Sequence, residues 1–593
     1  MDIDKRPEAG ATCDLLVVGS GAGGLATAVT AADLGLSVAV LEKADVLGGT
    51  TAWSGGWLWV PRNPLAIEAG IEEPIEAPLA YLAGIMGNRV GDPRVRTYLE
   101  TAPEVVRFFR DRTAVSWMDG NRVPDFTEAT GAAQGGRSVC AAPFDGRRLG
   151  PWIAKLRPPL DVISLAGMGI ASGKDMAHFF KATRSPASAL HAARRLAKHG
   201  ADLALHGRSM QLVNGNALVA GLMRSCLDRG VALFTGAGVK ALVHRDGRVA
   251  GVVLEDGTAL AARRGVVLAT GGFPHDPETQ ARLFGREIGP AHHSAAPRDN
   301  TGDGIRLGAG VGAVLREDLV NAGAWAPVSL VPDGKGGFTH FPHLIDRAKP
   351  GIIAVRGKGE RFTNEADSYH AFMRALFNAT PEGRAPECWL IADHPAQRRW
   401  GLGWARPFPF PLAPFRRKGY LRSGRTLRDL ARACDLDPDV LVATVARFNA
   451  RAEAGEDPDF HRGASVYNRV QGDPDHRPNP SLGPLKRGPF HAVKIVSGSL
   501  GTFAGLDADA AARVLDARGR PIPGLYAAGN DLSSIFAGHY PSGGITLGPA
   551  MTFGYIAAHH AAGRWDPHDT TTPDQGAPAD RTGANGGDIH AAV

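Results

Sequence analysis

The chain begins its legible pattern with "CDLLVVGSGAGGLATAVTAADLGLSVAVLEK". Leu15–Val18 is a short apolar run, a glycine-rich turn follows, and then a run of small residues continues to Gly35. Ser37–Leu41 is apolar again. Short runs buried on both faces, alternating with a helix-length segment, predict a parallel β-α-β unit and an α/β fold. Two later segments, "GVVLATGGF" and "PGLYAAGN", read as further buried strands, each ending in a glycine turn. "TLRDLARACDLDPDVLVATVARFNARAEAG" carries helical spacing and predicts one helix, while "SPASALHAARRLAKHGADLAL" predicts an amphipathic basic one. The latter lies in an insertion near 155–205. It is read as a surface helical hairpin packed on the main lobe, with a lid or membrane-surface patch as the alternative. No apolar stretch approaches the ~18 residues of a membrane-spanning helix.

The first turn carries candidate chemistry. Gly19, Gly21 and Gly24 form G-x-G-x-x-G between strand and helix, with Ala22 and Gly23 inside it. Glycines there let a pyrophosphate approach free N–H groups at the helix start. Glu42, 18 residues beyond Gly24, closes the second strand and suits ribose hydroxyls; Lys43 follows it. A second small-residue stretch comes directly after, with Gly48, Gly49, Thr50, Thr51, Ser54, Gly55 and Gly56. An NAD site has no need of it, whereas a longer flavin dinucleotide needs amides and hydroxyls along its length. The reading is therefore FAD, with Gly271, Gly529 and Asn530 as later contacts. No histidine lies between Ala44 and Leu58, so the FAD is expected to be non-covalent.

Composition changes this picture little. The 593 residues require more than one core, and a net charge of +6 without a dense basic patch argues against nucleic acid. Five scattered cysteines without a CxxC exclude a legible zinc or iron–sulfur site, and His292-His293 lacks further ligands at metal spacing. The polar N-terminus shows no signal peptide, which gives a cytoplasmic expectation, with peripheral membrane association as the alternative. The discontinuous pattern divides the chain into a FAD-binding part over 1–325, a catalytic cap over 326–499, a returning FAD-binding part over 500–565, and a disordered tail over 566–593.

These motifs, together with "FNARAEAGEDPDFHRG", "GSLGTFAGL" and "AGHYPSGGITLGPAMTFGY", resemble the FAD-dependent 3-ketosteroid Δ1-dehydrogenase family. That family sits within the fumarate reductase/succinate dehydrogenase flavoprotein superfamily. The resemblance implies a Rossmann-like FAD domain with an inserted α+β cap, and desaturation of a carbon–carbon bond beside the A-ring ketone of a 3-oxosteroid. In that family a tyrosine and a glycine four residues on bind the 3-oxo group, and here they match Tyr540 and Gly544. The family's base, at the end of Asn-Glu-x-x-x-Tyr, matches Tyr369 in "NEADSY". Ile545 and Leu547 follow as cofactor contacts.

The chain departs from the family at two places. Phe126 stands where a second tyrosine would support the base, and Ser542 interrupts the family's Pro-Gly-Pro-Gly run. Both are assigned to the substrate pocket, and both leave the oxidised bond open. A Δ4-(5α)-dehydrogenase and a desaturase of another cyclic ketone, such as an oxocyclohexanecarboxylate, remain alternatives. A fumarate-reductase-like ene-reductase is a further one, although its clamping arginine would fall at Pro541. The partners implied are an apolar ketone and an external electron acceptor such as a quinone. Arg361 is read as a structural ion pair, and Tyr420 and Tyr467 as lesser candidates on the cap.

Overall fold

The structure is a computed structural model and describes residues 3–285 and 292–565. The expected disordered tail over 566–593 lies outside the described residues.

The apolar run at the start becomes β1 (Thr12–Val18), followed by α1 (Ala22–Asp33) and β2 (Val38–Leu41). Both strands are parallel neighbours in an eight-stranded sheet. Its spine runs Arg513–Leu515, Pro521–Ala527, Ala259–Leu268, β1, β2, Ala232–Phe234. The segment "GVVL" thus pairs in parallel with β1, and "LYA" pairs in parallel with it on the other side. Chain from beyond residue 510 therefore completes a sheet begun at residue 12. The hairpin Val239–Arg245 and Arg248–Leu254 extends the sheet in antiparallel fashion.

Small residues decide the helix packing beside this sheet. α1 lies against the helix Leu547–Ala561, and a Cβ on Gly554 would come within 2.6 Å of the Gly23 carbonyl oxygen. Neither helix has room for a larger side chain at that crossing, which explains the Ala/Gly-rich sequences of both.

A second sheet of seven strands is built wholly from 328–496. Its order is Phe338–Pro342, Val328–Pro332, Phe490–Val496, Glu387–Ala392, Ile352–Arg356, Glu360–Arg361, with Arg422–Gly424 also on Phe490–Val496. All its pairings are antiparallel. The strand Gly498–Thr502 joins a small sheet with Gly323–Trp325, which contributes to the passage between the two lobes.

One helix expectation is corrected. "TLRDLARACDLDPDVLVATVARFNARAEAG" forms two helices, Leu427–Ala433 and Pro438–Ala452. Asp435 takes φ 56°, and Asp437 caps the second helix while Pro438 occupies its first turn. Proline has no N–H to give and is accepted only there, so the Asp-Leu-Asp-Pro stretch splits the helix. The 155–205 insertion forms the helices Lys174–Lys181 and Pro186–His206, packed on each other. No helix among the described residues is long and apolar enough to cross a membrane.

Candidate active site

A cleft of about 2130 Å³ runs from the G-x-G-x-x-G turn to the cap sheet's edge. That exceeds the 300–1,000 Å³ common for one small ligand and gives space for a dinucleotide and a substrate together.

The dinucleotide end is made from main chain. Gly19 takes φ +104°, and a Cβ there would sit 2.2 Å from the Ala269 carbonyl oxygen on the neighbouring strand. Gly21, Gly49 and Gly529 differ. A Cβ on each would meet nothing nearer than 3.7 Å and would project into the open cleft. This is the cradle that a pyrophosphate at a helix start requires. Thr51 Oγ1 accepts from the Ala22 N–H at 2.9 Å and ties the second small-residue stretch to the first. Glu42 is buried; its Oε2 accepts from Ser20 N at 3.1 Å and Ser20 Oγ at 2.5 Å, and its Oε1 from Ala44 N at 3.0 Å. A carboxylate has about four acceptor positions, so capacity for ribose hydroxyls remains. Ala22, Gly23, Thr50, Ser54, Gly55, Gly56, Gly271, Asn530 and Leu547 also line the cleft.

Three assignments change. Gly24 is off the cleft wall, because its missing Cβ makes room for the Gly19 carbonyl, which a Cβ would approach to 2.0 Å. Gly48, at φ +119°, packs its Cα against Val219 instead of lining the cleft, and its N–H donates to Ser20 Oγ at 2.9 Å. The Ile545 side chain is 3% exposed in the apolar core behind the cleft. Lys43 does line the cleft, with its ammonium held by Thr301 Oγ1 at 2.8 Å and Asp303 at 2.6 Å. The sequence reading missed Asn300, whose amide donates to Thr50 Oγ1 at 3.0 Å and to the Gly271 carbonyl at 3.2 Å. Its sequence neighbourhood, "PRDNTGDG", carries only turn signals.

At the other end the chain brings its tyrosines together. Tyr369 is the first residue of the helix Tyr369–Ala379, which Ser368 caps by accepting from Ala371 N at 3.1 Å. Its hydroxyl donates to Tyr540 Oη at 2.7 Å, with the rings 5.0 Å apart at 83°. Tyr540 sits in a loop pinned on both sides. Tyr81 Oη and Phe126 N donate to the Pro541 carbonyl at 2.6 and 2.9 Å, and Asn321 Nδ2 donates to the Gly538 carbonyl at 3.0 Å. Phe126 lies 5.6 Å from Tyr369, 5.7 Å from Tyr540 in a near-parallel stack, and 4.6 Å from Tyr467. It therefore stands at the centre of three phenols without a hydroxyl of its own. Tyr467, a lesser candidate from sequence, belongs to this cluster. Its helix Val466–Gln471 is locked to the Tyr369 loop by Asn468, which bonds Asn364 at 2.8 Å and Asp367 at 2.9 Å. That "YN" pair was the available signal.

Gly544 lies three residues before the helix Leu547–Ala561 at φ +98°, and a Cβ there would be 2.7 Å from the backbone of β3 (Trp57–Trp59). Its N–H has no acceptor among the described residues, and the residue lines the cleft. Ser542 is fully buried off the cleft wall, with Oγ unpartnered. Its assignment to the substrate pocket is thus corrected: the hydroxyl faces protein.

Burial pushes the Tyr369 phenol well above the ordinary tyrosine value, and the adjacent Tyr540 adds to the shift. Burial likewise pushes Tyr540 up, to about 12, although the bond from Tyr369 lowers it. His370, whose ring is 5.4 Å from Tyr540, is held neutral by burial with a pKa of about 3. The reactive end is thus apolar and uncharged, with phenols as its hydrogen-bonding groups. Arg361 lies elsewhere in the cap and pairs with Glu365 at 2.7 Å and Asp457 at 2.9 Å, as a structural ion pair. His491 packs within the cap sheet against Ser423 at 2.9 Å.

Comparison with known proteins agrees with this geometry. The model of the FAD binding domain family matches residues 14–547. The chain is 38% identical over 555 residues to 4-oxocyclohex-2-ene-1-carboxylate 5-dehydrogenase of Sinomonas cyclohexanicum, covering 93% of this chain and 94% of that protein. It is 36% identical over 573 residues to 3-oxosteroid 1-dehydrogenase of Mycobacterium tuberculosis, covering 93% and 98%. The crystal structure of 3-ketosteroid delta1-dehydrogenase from Sterolibacterium denitrificans, in complex with 1,4-androstadiene-3,17-dione, superposes with a TM-score of 0.84 at 35% identity, over 93% of this chain and 99% of that one. The glycine cradle at the edge of the parallel strands, the cap sheet beside it and these matches together place the chain in the FAD binding domain family, among the 3-ketosteroid dehydrogenases and their relatives, as an FAD-dependent oxidoreductase.

Proposed function

We propose that the chain desaturates a cyclic ketone at the carbon–carbon bond next to the carbonyl. The observation that carries the reading is the 2.7 Å Tyr369–Tyr540 pair beside the unpartnered Gly544 N–H at the cleft wall. In the substrate-free arrangement Tyr369 donates to Tyr540, which leaves the Tyr540 hydrogen free to point at a ketone oxygen. The Gly544 N–H supplies a second donor. Two donors on one carbonyl oxygen stabilise enolate character and acidify the adjacent C–H. Tyr369 takes that proton as general base in its phenolate form, after its own hydroxyl proton has passed to solvent. FAD, bound non-covalently, would supply the two-electron acceptor for the hydride from the next carbon. Among the described residues the cleft lining contains no histidine or cysteine to attach it. The ketone would thus give one proton to the Tyr369 phenolate and one hydride to the bound cofactor, leaving a C=C bond, and an external acceptor such as a quinone would take the two electrons onward.

Two substrate classes fit this chemistry. A 3-oxosteroid oxidised at the Δ1 bond is supported by the match of Tyr369, Tyr540 and Gly544 to the steroid family's pattern. An oxocyclohexanecarboxylate is supported by the 38% identical relative. Anaerobic mixing of the yellow enzyme with each ketone, followed by NMR of the product, tests the reading. Bleaching with formation of the α,β-unsaturated ketone is expected, and no bleaching by any cyclic ketone would sink it. Tyr540→Phe is expected to lower kcat by roughly 10²–10³ with flavin content unchanged, the scale for one lost oxyanion donor.

A further inference from the structure

The cleft holds a half-buried cation that none of the steps above uses. Lys349 follows the turn Asp346–Ala348 on the cap and lines the cleft. Its Nζ donates to the Gln471 carbonyl at 2.6 Å and the Gly472 carbonyl at 2.7 Å, and stands 5.1 Å from the centre of the Trp400 ring. No carboxylate among the described residues lies within 4.0 Å of it. Two neutral carbonyls occupy two of its three N–H donors, so one is left over. The other cations that face the cleft are differently placed. Lys43, Arg157, Lys181 and Arg399 pair with Asp303, Asp299, Asp475 and Asp473 at 2.5–2.7 Å. Arg208 and Arg406 donate to carbonyls of the 153–164 stretch, on the flavin-lobe side. The rest are exposed to solvent.

Position gives Lys349 its meaning. Gln471 ends the helix whose second residue is Tyr467, about 6 Å further back along the axis. Tyr467 packs on Phe126, and Phe126 stacks on Tyr540. Lys349, Gln471, Tyr467, Phe126 and Tyr540 thus line one continuous stretch of the same cleft. We infer that Lys349 anchors a carboxylate of the substrate, so that the chain acts on alicyclic keto acids. The inference rests on the ketone-desaturase reading and names its substrate class.

The local electrostatics agree. Burial pulls the Lys349 ammonium down to about 8, while Asp473 and Asp346 support its charge and Arg399 opposes it. Neither acid comes within 4.0 Å of the ammonium: Asp473 faces Arg399 at 2.5 Å, and Asp346 Oδ2 accepts from His343 at 2.7 Å and Gly403 N at 3.0 Å, while Asp346 Oδ1 and Asp473 Oδ2 make no hydrogen bond among the described residues. A half-buried ammonium hydrogen-bonded only to neutral acceptors is under-compensated, and an incoming carboxylate supplies a direct partner. A neutral hydrocarbon end would instead cover the cation without pairing it, which disfavours a steroid at this position.

The test compares 4-oxocyclohexanecarboxylate with its methyl ester, and adds calorimetric titration with 4-hydroxybenzoate, a ring of similar length that the enzyme cannot dehydrogenate at a saturated bond. Lys349→Met is expected to raise KM for the acid and weaken 4-hydroxybenzoate binding by roughly 10–100-fold, the scale of one hydrogen bond to a charged group. The ester should be unaffected, kcat nearly constant, and Lys349→Arg close to wild type. Equal handling of acid and ester by the wild type, or unchanged binding in Lys349→Met, overturns the inference. If Lys349→Met does not fold, the wild-type acid-to-ester ratio decides alone. Bleaching by the ester or a 3-oxosteroid but not the acid sinks the Lys349 anchor and keeps the desaturase. Failure of every ketone sinks the desaturase, and the 4-hydroxybenzoate titration still judges Lys349.

Discussion

Two buried polar clusters, one inside the cap and one where the cap meets the flavin lobe, solve opposite problems. In one, Arg361, Glu365, Asp457 and Arg462 form a closed network at 2.7–3.0 Å, and Glu365 also accepts from Ala354 N at 3.0 Å. Its side chains are at most 2% exposed, and nearly every formal charge has a partner. In the other, Tyr369, Tyr540 and Tyr467 surround Phe126 and share a single hydrogen bond, with His370 Nε2 unpartnered beside them. A saturated network has nothing left to offer a ligand. The phenols, uncharged and under-used, cost less to bury and keep donors for a visiting oxygen. The difference separates scaffold from site more clearly than burial or charge does.

The largest test of this contrast is Tyr369→Phe. Turnover should fall by roughly 10⁴ and α-proton exchange in deuterated buffer should vanish, with the thermal midpoint nearly unchanged. Persisting exchange would move the base elsewhere. Glu365→Gln should do the reverse. Removing one partner from a buried ion network costs about 3–5 kcal/mol. Thermal unfolding should show that loss, while molecules that retain FAD turn over normally. Acid titration sharpens the same point. Burial raises the Glu365 pKa, but Arg361 and Arg462 more than offset it and hold the carboxyl at about 2, against 4.5 for a free glutamate. A depressed folded-state value stabilises fully above the unfolded one, so the contribution should be complete above pH 4.5 and lost as pH falls towards 2. Ser542→Ala is the smallest expected change. Its hydroxyl is buried and unpartnered, so stability should stay level or rise slightly, and kcat should change less than about twofold. A large rate loss would return Ser542 to the pocket.

The sequence was most readable where backbone conformation limits residue choice. Gly19 and Gly544 have steric reasons to be glycine, and Gly21 keeps the cleft open beside the helix start; all three are marked in the sequence before any coordinates. Tyr369 and Tyr540 were found through family resemblance; nothing in local pattern foretells that residues 171 apart share a hydrogen bond. The errors have one cause. Gly24, Gly48 and Ile545 sit inside or beside true motifs, and which neighbour faces the cleft depends on tertiary packing. Lys349 and Asn300 were illegible for the same reason: neither has a motif, and each acquires its setting from chain over 100 residues away.

Gly544 carries a consequence for how such an enzyme diversifies. Its amide is fixed by the packing of its Cα on Trp57 and Leu58, so the proposed grip on a reacting carbonyl would belong to the flavin lobe's architecture and resist drift. Lys349, by contrast, is a cap side chain set against the Gln471 and Gly472 carbonyls, and such a side chain is replaceable. On the proposed reading, new substrates in this lineage would arise by changing cap side chains while the same main-chain amide continues to hold the ketone.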